Sequence, residues 1–340
     1  MKAFVQTSYG PTSGLQLHDV PEPPLPAAAV RIRVDAIGLN PADWHLLKGD
    51  PLLVRLQYGF LRPRYPVMGI DLAGEVVDVG PEALGFTPGD RVVACPFDSG
   101  LGAFAEYVHV PAAEVVKLPD GVSVTQAAAL PVAGLTAYHA LVKQYSVQPG
   151  QSVLINGASG GVGTFAVQIA KTRGAEVTAV CSTRNVELVR SLGADHVVDY
   201  RTTNFLELDR RFDLIMDNVC NHPLSRIRRR LKPGGTVLAV GYYTARRLLR
   251  QMLLAPLISA FRGQRAVILD WKYRVEDLRA LVGMVTAGEV RSVIDRTLPF
   301  SDLREGLAYL EAGHARGKVV VRGYAASGES ALREGAVGEE

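Results

Sequence analysis

The run SVLINGASGGVGTFAVQIAK, residues 152–171, constrains the fold more than any other part of the 340-residue chain. A short apolar run leads into glycines at positions 157, 160, 161 and 163. An amphipathic run follows, with Val162, Phe165, Ala166, Ile169 and Ala170 on one helical face. Glycines between a strand and a helix let the backbone approach a ligand closely, and a helix start offers unpaired N–H groups with partial positive charge. The bland alternative is a tight turn, and a glycine pattern alone decides nothing. The context decides for a pyrophosphate cradle, because this pattern lies inside a strand–helix–strand unit. No Gly-Lys-Ser/Thr follows, so the loop is not that of a nucleotide hydrolase.

From 152 to 241 the alternation continues, with EVTAVC, NVELVRSLGA, HVVDY, FDLIMDN, LSRIRRRL and TVLAVG in turn. Apolar strands between helices predict a parallel sheet covered on both faces. The first third reads differently. VRIRVDAIGL alternates apolar and polar residues, and DLAGEVVDVG, RVVAC, AFAEYVHV and AEVVKL follow at short intervals between turns. Many short strands with Gly/Pro turns predict a β-barrel or sandwich. The fold class expected is therefore α/β, a β-barrel domain plus a doubly wound parallel-sheet domain. The first domain is expected to begin with 1–123, and the second to span 124–271. The small, polar, acidic tail 326–340 is expected to be disordered.

Composition narrows the function. Net charge is +3, with 37 Lys and Arg against 34 Asp and Glu, which points to neither nucleic acid nor membrane as a bulk partner. Three scattered cysteines suit a reducing compartment, and Met1 leads straight into strand-like KAFVQ, so a cytoplasmic location is expected.

In dinucleotide folds the second strand normally ends in an acid that holds the adenosine ribose. Here it ends in Ser182, Thr183 and Arg184. A hydroxyl beside a guanidinium suits a 2′-phosphate, so NADPH is expected over NADH. A solvated, uninvolved Arg184 is the alternative.

The chain resembles the medium-chain dehydrogenase/reductase superfamily, in its quinone oxidoreductase and zeta-crystallin branch. The resemblance runs from Met1 to about Gly323. It rests on GLNPADWHLLKG at 38–49, PVMGIDLAGEVVDVG at 66–80, GDRV at 89–92, GAFAEYV at 102–108, AGLTAYHAL at 133–141, GASGGVG at 157–163 and LKPGG at 231–235. It implies a GroES-like first domain to which the chain returns over 272–325, making that domain discontinuous (1–123 and 272–325), a Rossmann second domain over 124–271, and an active site in the cleft between them. It also places Asn40, Thr136, Gly160, Gly161, Val162, Tyr200, Asn218, Gly241 and Lys318 at the cofactor. Asn40 would donate to the substrate or fix the cofactor ribose, or be a plain turn residue before Pro41. Asn218 and Gly241 could equally be turn residues.

Where zinc-dependent relatives carry ligands, this chain has Asn40 and the triplet Gly69-Ile70-Asp71, and no cysteine near LPVAG. The resemblance therefore implies no zinc. His45, beside Trp44, is the best stray ligand and reads better as packing. Hydride delivery to a quinone or an α,β-unsaturated carbonyl is the reaction expected, with Tyr58 and Tyr242 as further candidates for the donor or proton source. An alcohol dehydrogenase-like enzyme without zinc, a non-catalytic NADPH-binding protein and a methyltransferase are the competing readings. A homodimer is expected. The basic, apolar stretch 245–265 is expected to cap an apolar pocket, with an anionic membrane surface or a dimer interface as alternatives.

Overall fold

The computed structural model describes residues 1–241 and 263–325. Tyr242, nearly all of the 245–265 stretch and the tail 326–340 lie outside the described residues. The chain divides into two units. One comprises Met1–Val132, Tyr273–Thr286 and the chain from Ile294 on; the other comprises Ala133–Lys272 and Ala287–Val293.

The first unit opens with a separate hairpin of β1 (Lys2–Val5) and β2 (Gln16–Asp19). Next come the long β3 (Ala29–Leu39), then β4 (Asp71–Val79), β5 (Arg91–Ala94), β6 (Tyr107–Pro111) and β7 (Val115–Lys117). β3 alternates as its sequence does, with Val30, Ile32 and Val34 fully buried. It pairs antiparallel with β4 and with β6. The helix Val124–Ala128 packs on β3, β4 and β5 and so belongs to this unit. Gly38 explains the fit, since a Cβ there would lie 2.0 Å from the Ala128 carbonyl oxygen.

The second unit carries β8 (Ser152–Asn156), β9 (Glu176–Cys181), β10 (His196–Asp199), β11 (Phe212–Asp217), β12 (Leu231–Ala239) and β13 (Arg265–Ile268). They form one parallel sheet in the order β10-β9-β8-β11-β12-β13. All five residues of β8 are buried, as expected for a central strand covered on both faces. Leu154, Ile215 and Val237 share a core under one face with Ile227 and Phe212. The chain then returns to the first unit, where β14 (Ile294–Leu298) and β15 (Lys318–Arg322) complete the sheet order β14-β15-β3-β4-β5-β7.

Candidate functional site

In the second unit the loop after β8 is built by two glycines. Gly157 has φ +78°, a left-handed conformation that favours glycine. Gly163 lies where a Cβ would stand 2.1 Å from the Gly157 carbonyl oxygen, so only glycine lets the helix Gly161–Thr172 close onto its own loop. Gly160 begins that helix, and no side chain caps it. The N–H groups of the first turn, including those of Gly161 and Val162, are thus left to a ligand or water.

Asn218 and Gly241 follow β11 and β12, at the carboxyl ends where open α/β sheets bind ligands. They are neighbours: a Cβ on Gly241 would lie 2.3 Å from the Asn218 carbonyl oxygen. A Cβ on Gly157 would lie 3.5 Å from that of Asn218. Both side-chain polar atoms of Asn218 are buried without a partner. Buried amides left this way cost free energy, so the arrangement wants a polar guest. The cradle therefore fits a dinucleotide.

At the end of β9, Ser182 is buried and Arg184 is exposed. Asn185, which the sequence reading passed over, donates to both Ser159 and Ser182 at 2.9 and 3.2 Å, tying the glycine loop to the end of β9. Tyr200 is 58% exposed, and its backbone N–H donates to the Cys181 carbonyl, which sets it beside Ser182. Asp199 precedes it. Its carboxylate accepts from the Thr183 side chain and from the Arg201 backbone, and these bonds hold it below the usual range. Thr136 is buried on the helix Pro131–Tyr138.

The first unit holds a second cluster. Antiparallel pairing of β3 with β4 and β15 brings the end of one strand to the starts of two others. Asn40, Asp71 and Lys318 stand there together, exposed by only 1%, 0% and 2%. The Asn40 Nδ2 group donates to Gly38 O at 3.1 Å and to Asp71 Oδ2 at 2.9 Å. Lys318 Nζ donates to Asn40 Oδ1 and lies 3.4 Å from Asp71 Oδ2. The Val132 backbone N–H reaches the same carboxylate at 3.1 and 3.2 Å. Burial pushes the Asp71 carboxyl up, while the Lys318 ammonium and the Asn40 amide pull it back. The Cys95 thiol is driven well up, first by burial and then by the charge of Asp71.

Both amide hydrogens of Asn40 are therefore committed. The donor role expected for it would break one of those bonds; the capacity left is a lone pair on Oδ1. Lys318, expected at the cofactor, directs two of its three ammonium hydrogens at Asn40 and Asp71, which leaves one. The partner role of Asp71 was legible in one respect: an acid inside the apolar run VMGIDLAGEVV is rarely buried unless paired.

Tyr58 is buried, and its hydroxyl has no partner. It lines a small pocket with Gln6, Tyr9, Tyr65, Met68 and Leu101. Burial raises its pKa, keeping the phenol protonated and able to donate. His45 stacks on Trp44 at 3.7 Å between ring centroids, as a packing residue does. Among the described residues, no group of three or more His, Cys, Asp or Glu is placed to hold a metal.

Asp43, in the first turn of the helix Pro41–Lys48, accepts from the Asn40 backbone N–H at 2.8 Å. Burial is the main cause that pushes its carboxyl up to about 8. Because the folded-state value lies above the ordinary one of about 4, folding favours the protonated acid. That contribution is full below about pH 4 and is lost as pH rises towards about 8. The urea midpoint should fall between pH 5 and pH 8.5. Asp43→Asn keeps an acceptor for Asn40 and should flatten that fall; an unchanged slope in the variant would assign it elsewhere.

Comparison with known proteins agrees with this geometry. The alcohol dehydrogenase GroES-like domain family matches residues 26–120, and the zinc-binding dehydrogenase family matches residues 192–321. The chloroplast envelope quinone oxidoreductase homolog of Arabidopsis thaliana is 35% identical, over 94% of this chain and 98% of the relative. The trans-enoyl reductase pgmF of Aspergillus terreus is 34% identical, over 95% of this chain and 96% of the relative. The solved structure of the quinone oxidoreductase from Coxiella burnetii superposes with a TM-score of 0.83 at 31% identity, covering 95% of this chain and 99% of that one. With a GroES-like β unit, a parallel nucleotide-binding sheet and relatives matched over nearly their whole length, the chain belongs to the medium-chain dehydrogenase/reductase superfamily, in its quinone oxidoreductase branch, as a nicotinamide-dependent oxidoreductase.

Proposed function

We propose that the chain is an NADPH-dependent, zinc-independent reductase of quinones and α,β-unsaturated carbonyls. The observation that carries this reading is the buried cation in the first unit, the ammonium of Lys318 between Asn40 and Asp71. A tetrahedral zinc needs about four N, S or O lone pairs pointed at one place. This cluster instead directs an ammonium and an amide N–H group at the Asp71 carboxylate, and the neighbouring Asp43 carboxylate accepts from the Asn40 backbone N–H, so the donor set does not fit zinc. Oxidation of a simple alcohol leans on a metal to acidify its hydroxyl. A conjugated acceptor spreads incoming charge over several atoms, and hydrogen-bond donors suffice for it.

The nicotinamide, when bound, supplies the hydride. The glycine loop and Asn218 bind the pyrophosphate side, and Ser182 and Arg184 receive the 2′-phosphate. Asn40, held by Asp71 and Lys318, offers its remaining lone pair to a cofactor hydroxyl or amide N–H. Tyr58 supplies the donor for the oxygen of the acceptor, since its hydroxyl is protonated, buried and unpartnered. The trans-enoyl reductase and quinone oxidoreductase names of the relatives support both acceptor classes.

The test is a panel of quinones, 2-alkenals and simple alcohols, followed through NADPH absorbance. Quinones or alkenals should be reduced, simple alcohols oxidised far more slowly, and chelator treatment should leave turnover intact. Tyr58→Phe should lower kcat about 10²–10³-fold, the range for removing one oxyanion donor, with NADPH affinity unchanged. Efficient oxidation of alcohols with no reduction of any conjugated acceptor would overturn the reading.

A further inference from the structure

Among the described residues few large apolar side chains are exposed, and most of those that are fall within ten residues of one another. Leu52, Leu56, Phe60 and Leu61 are 69%, 69%, 67% and 84% exposed. Leu52 and Leu56 are one helical turn apart, at the start and in the middle of the short helix Leu53–Tyr58. Phe60 and Leu61 follow directly after Gly59, whose φ of +111° turns the chain.

This segment is firmly held beneath its exposed face. The Tyr58 ring packs edge-on against Tyr65 and Phe97. The Arg55 guanidinium lies 4.5 Å from the Tyr9 ring centroid, and its Nε donates to Gly49 O at 3.0 Å. Tyr9 Oη donates to Gly59 O at 2.6 Å. The apolar side chains are therefore presented by an anchored backbone. They lie on the outer side of a segment whose Tyr58, Pro63 and Tyr65 line the pocket on its inner side.

We propose that Leu52–Leu61 with Arg62 and Arg64 is a docking surface for an anionic lipid bilayer. Residues 51–70 contain three arginines and no acid, and Arg62 and Arg64 are exposed beside the apolar group. Protruding leucines and a phenylalanine flanked by guanidinium groups match an acyl–headgroup boundary, with the apolar groups in the acyl region and the cations at lipid phosphates. A second copy of this chain is the poorer occupant. A two-fold contact sets a patch against itself, and Arg62 and Arg64 would then face their own kind with no acid in the stretch to offset them. Among the described residues no helix is long and apolar enough to cross a membrane.

Co-sedimentation of the full chain with vesicles tests this without reference to activity. The chain should sediment with phosphatidylcholine vesicles containing phosphatidylglycerol, and more weakly with phosphatidylcholine alone. Leu56→Ser with Leu61→Ser should lower the partition coefficient about tenfold or more on both vesicle types. Arg62→Gln with Arg64→Gln should lower it about tenfold on anionic vesicles at low salt and leave neutral vesicles unaffected. Turnover of a water-soluble quinone should be unchanged in both variants. Three outcomes would overturn the proposal: no binding to anionic vesicles at low salt, binding that survives both double variants, or a wild-type dimer in sedimentation velocity that Leu56→Ser with Leu61→Ser dissociates.

Discussion

Lys318→Met is expected to lower the unfolding free energy by about 3–5 kcal/mol, the range for removing one partner of a buried ion pair. The methionine keeps most of the length of the stem but withdraws the ammonium from Asn40 Oδ1 and Asp71, both in a place closed to water. Asp71 would then face burial with only the Asn40 amide, the Val132 N–H and the Cys95 thiol as partners. Its carboxyl, already raised by burial, loses the cation that pulls it down and rises further. A carboxyl raised in the fold contributes stability at low pH and loses it as pH increases. The deficit should therefore be largest near pH 8 and shrink towards pH 5. Urea unfolding at the two pH values measures both effects. Adding Asp71→Asn to Lys318→Met should recover part of the loss, since it removes the stranded charge. A loss below about 1 kcal/mol at pH 8, typical of an exposed pair, would show that the cluster is not ionic.

Arg184→Ala is expected to weaken NADPH binding by about 1.5–3 kcal/mol, as for loss of a charged hydrogen bond, while NADH affinity stays nearly constant. Arg184 is exposed at the turn after β9, with buried Ser182 two residues before it. Asp199, beside this turn, accepts from Thr183 and the Arg201 backbone. On the proposed reading Arg184 tells the 2′-phosphate from a hydroxyl, and its loss should raise the NADPH dissociation constant about 10- to 150-fold. Titration of both cofactors measures the difference. Equal losses for the two would mean that Arg184 acts on the fold of the turn, and near-equal wild-type affinities would remove the preference altogether.

Much of the second unit was legible along the chain because its signals are local. Strand, glycine loop and helix occupy 152–172 without interruption, and the conformation that Gly157 adopts and the space that Gly163 leaves are properties of one turn. The same locality exposed the missing acid after β9. The first unit yielded its strands in the same way, through the alternation in 30–39.

What the polar residues of the first unit do was decided only by tertiary structure. Asn40 could equally be a turn residue before Pro41, and it does stand at the N-cap of the helix Pro41–Lys48, but its amide hydrogens do not serve that helix. Instead, the register of β3 against β4 and β15 sets it beside Asp71 and beside Lys318, a residue 278 positions away. The same closure raised Asp43 to about 8 and left the Tyr58 hydroxyl buried without a partner. Periodicity and residue type determine which faces are apolar and where a loop can cradle a ligand. Which charges meet, and which polar atoms remain unsatisfied, depends on strand pairings between distant segments and on the water that their closure excludes.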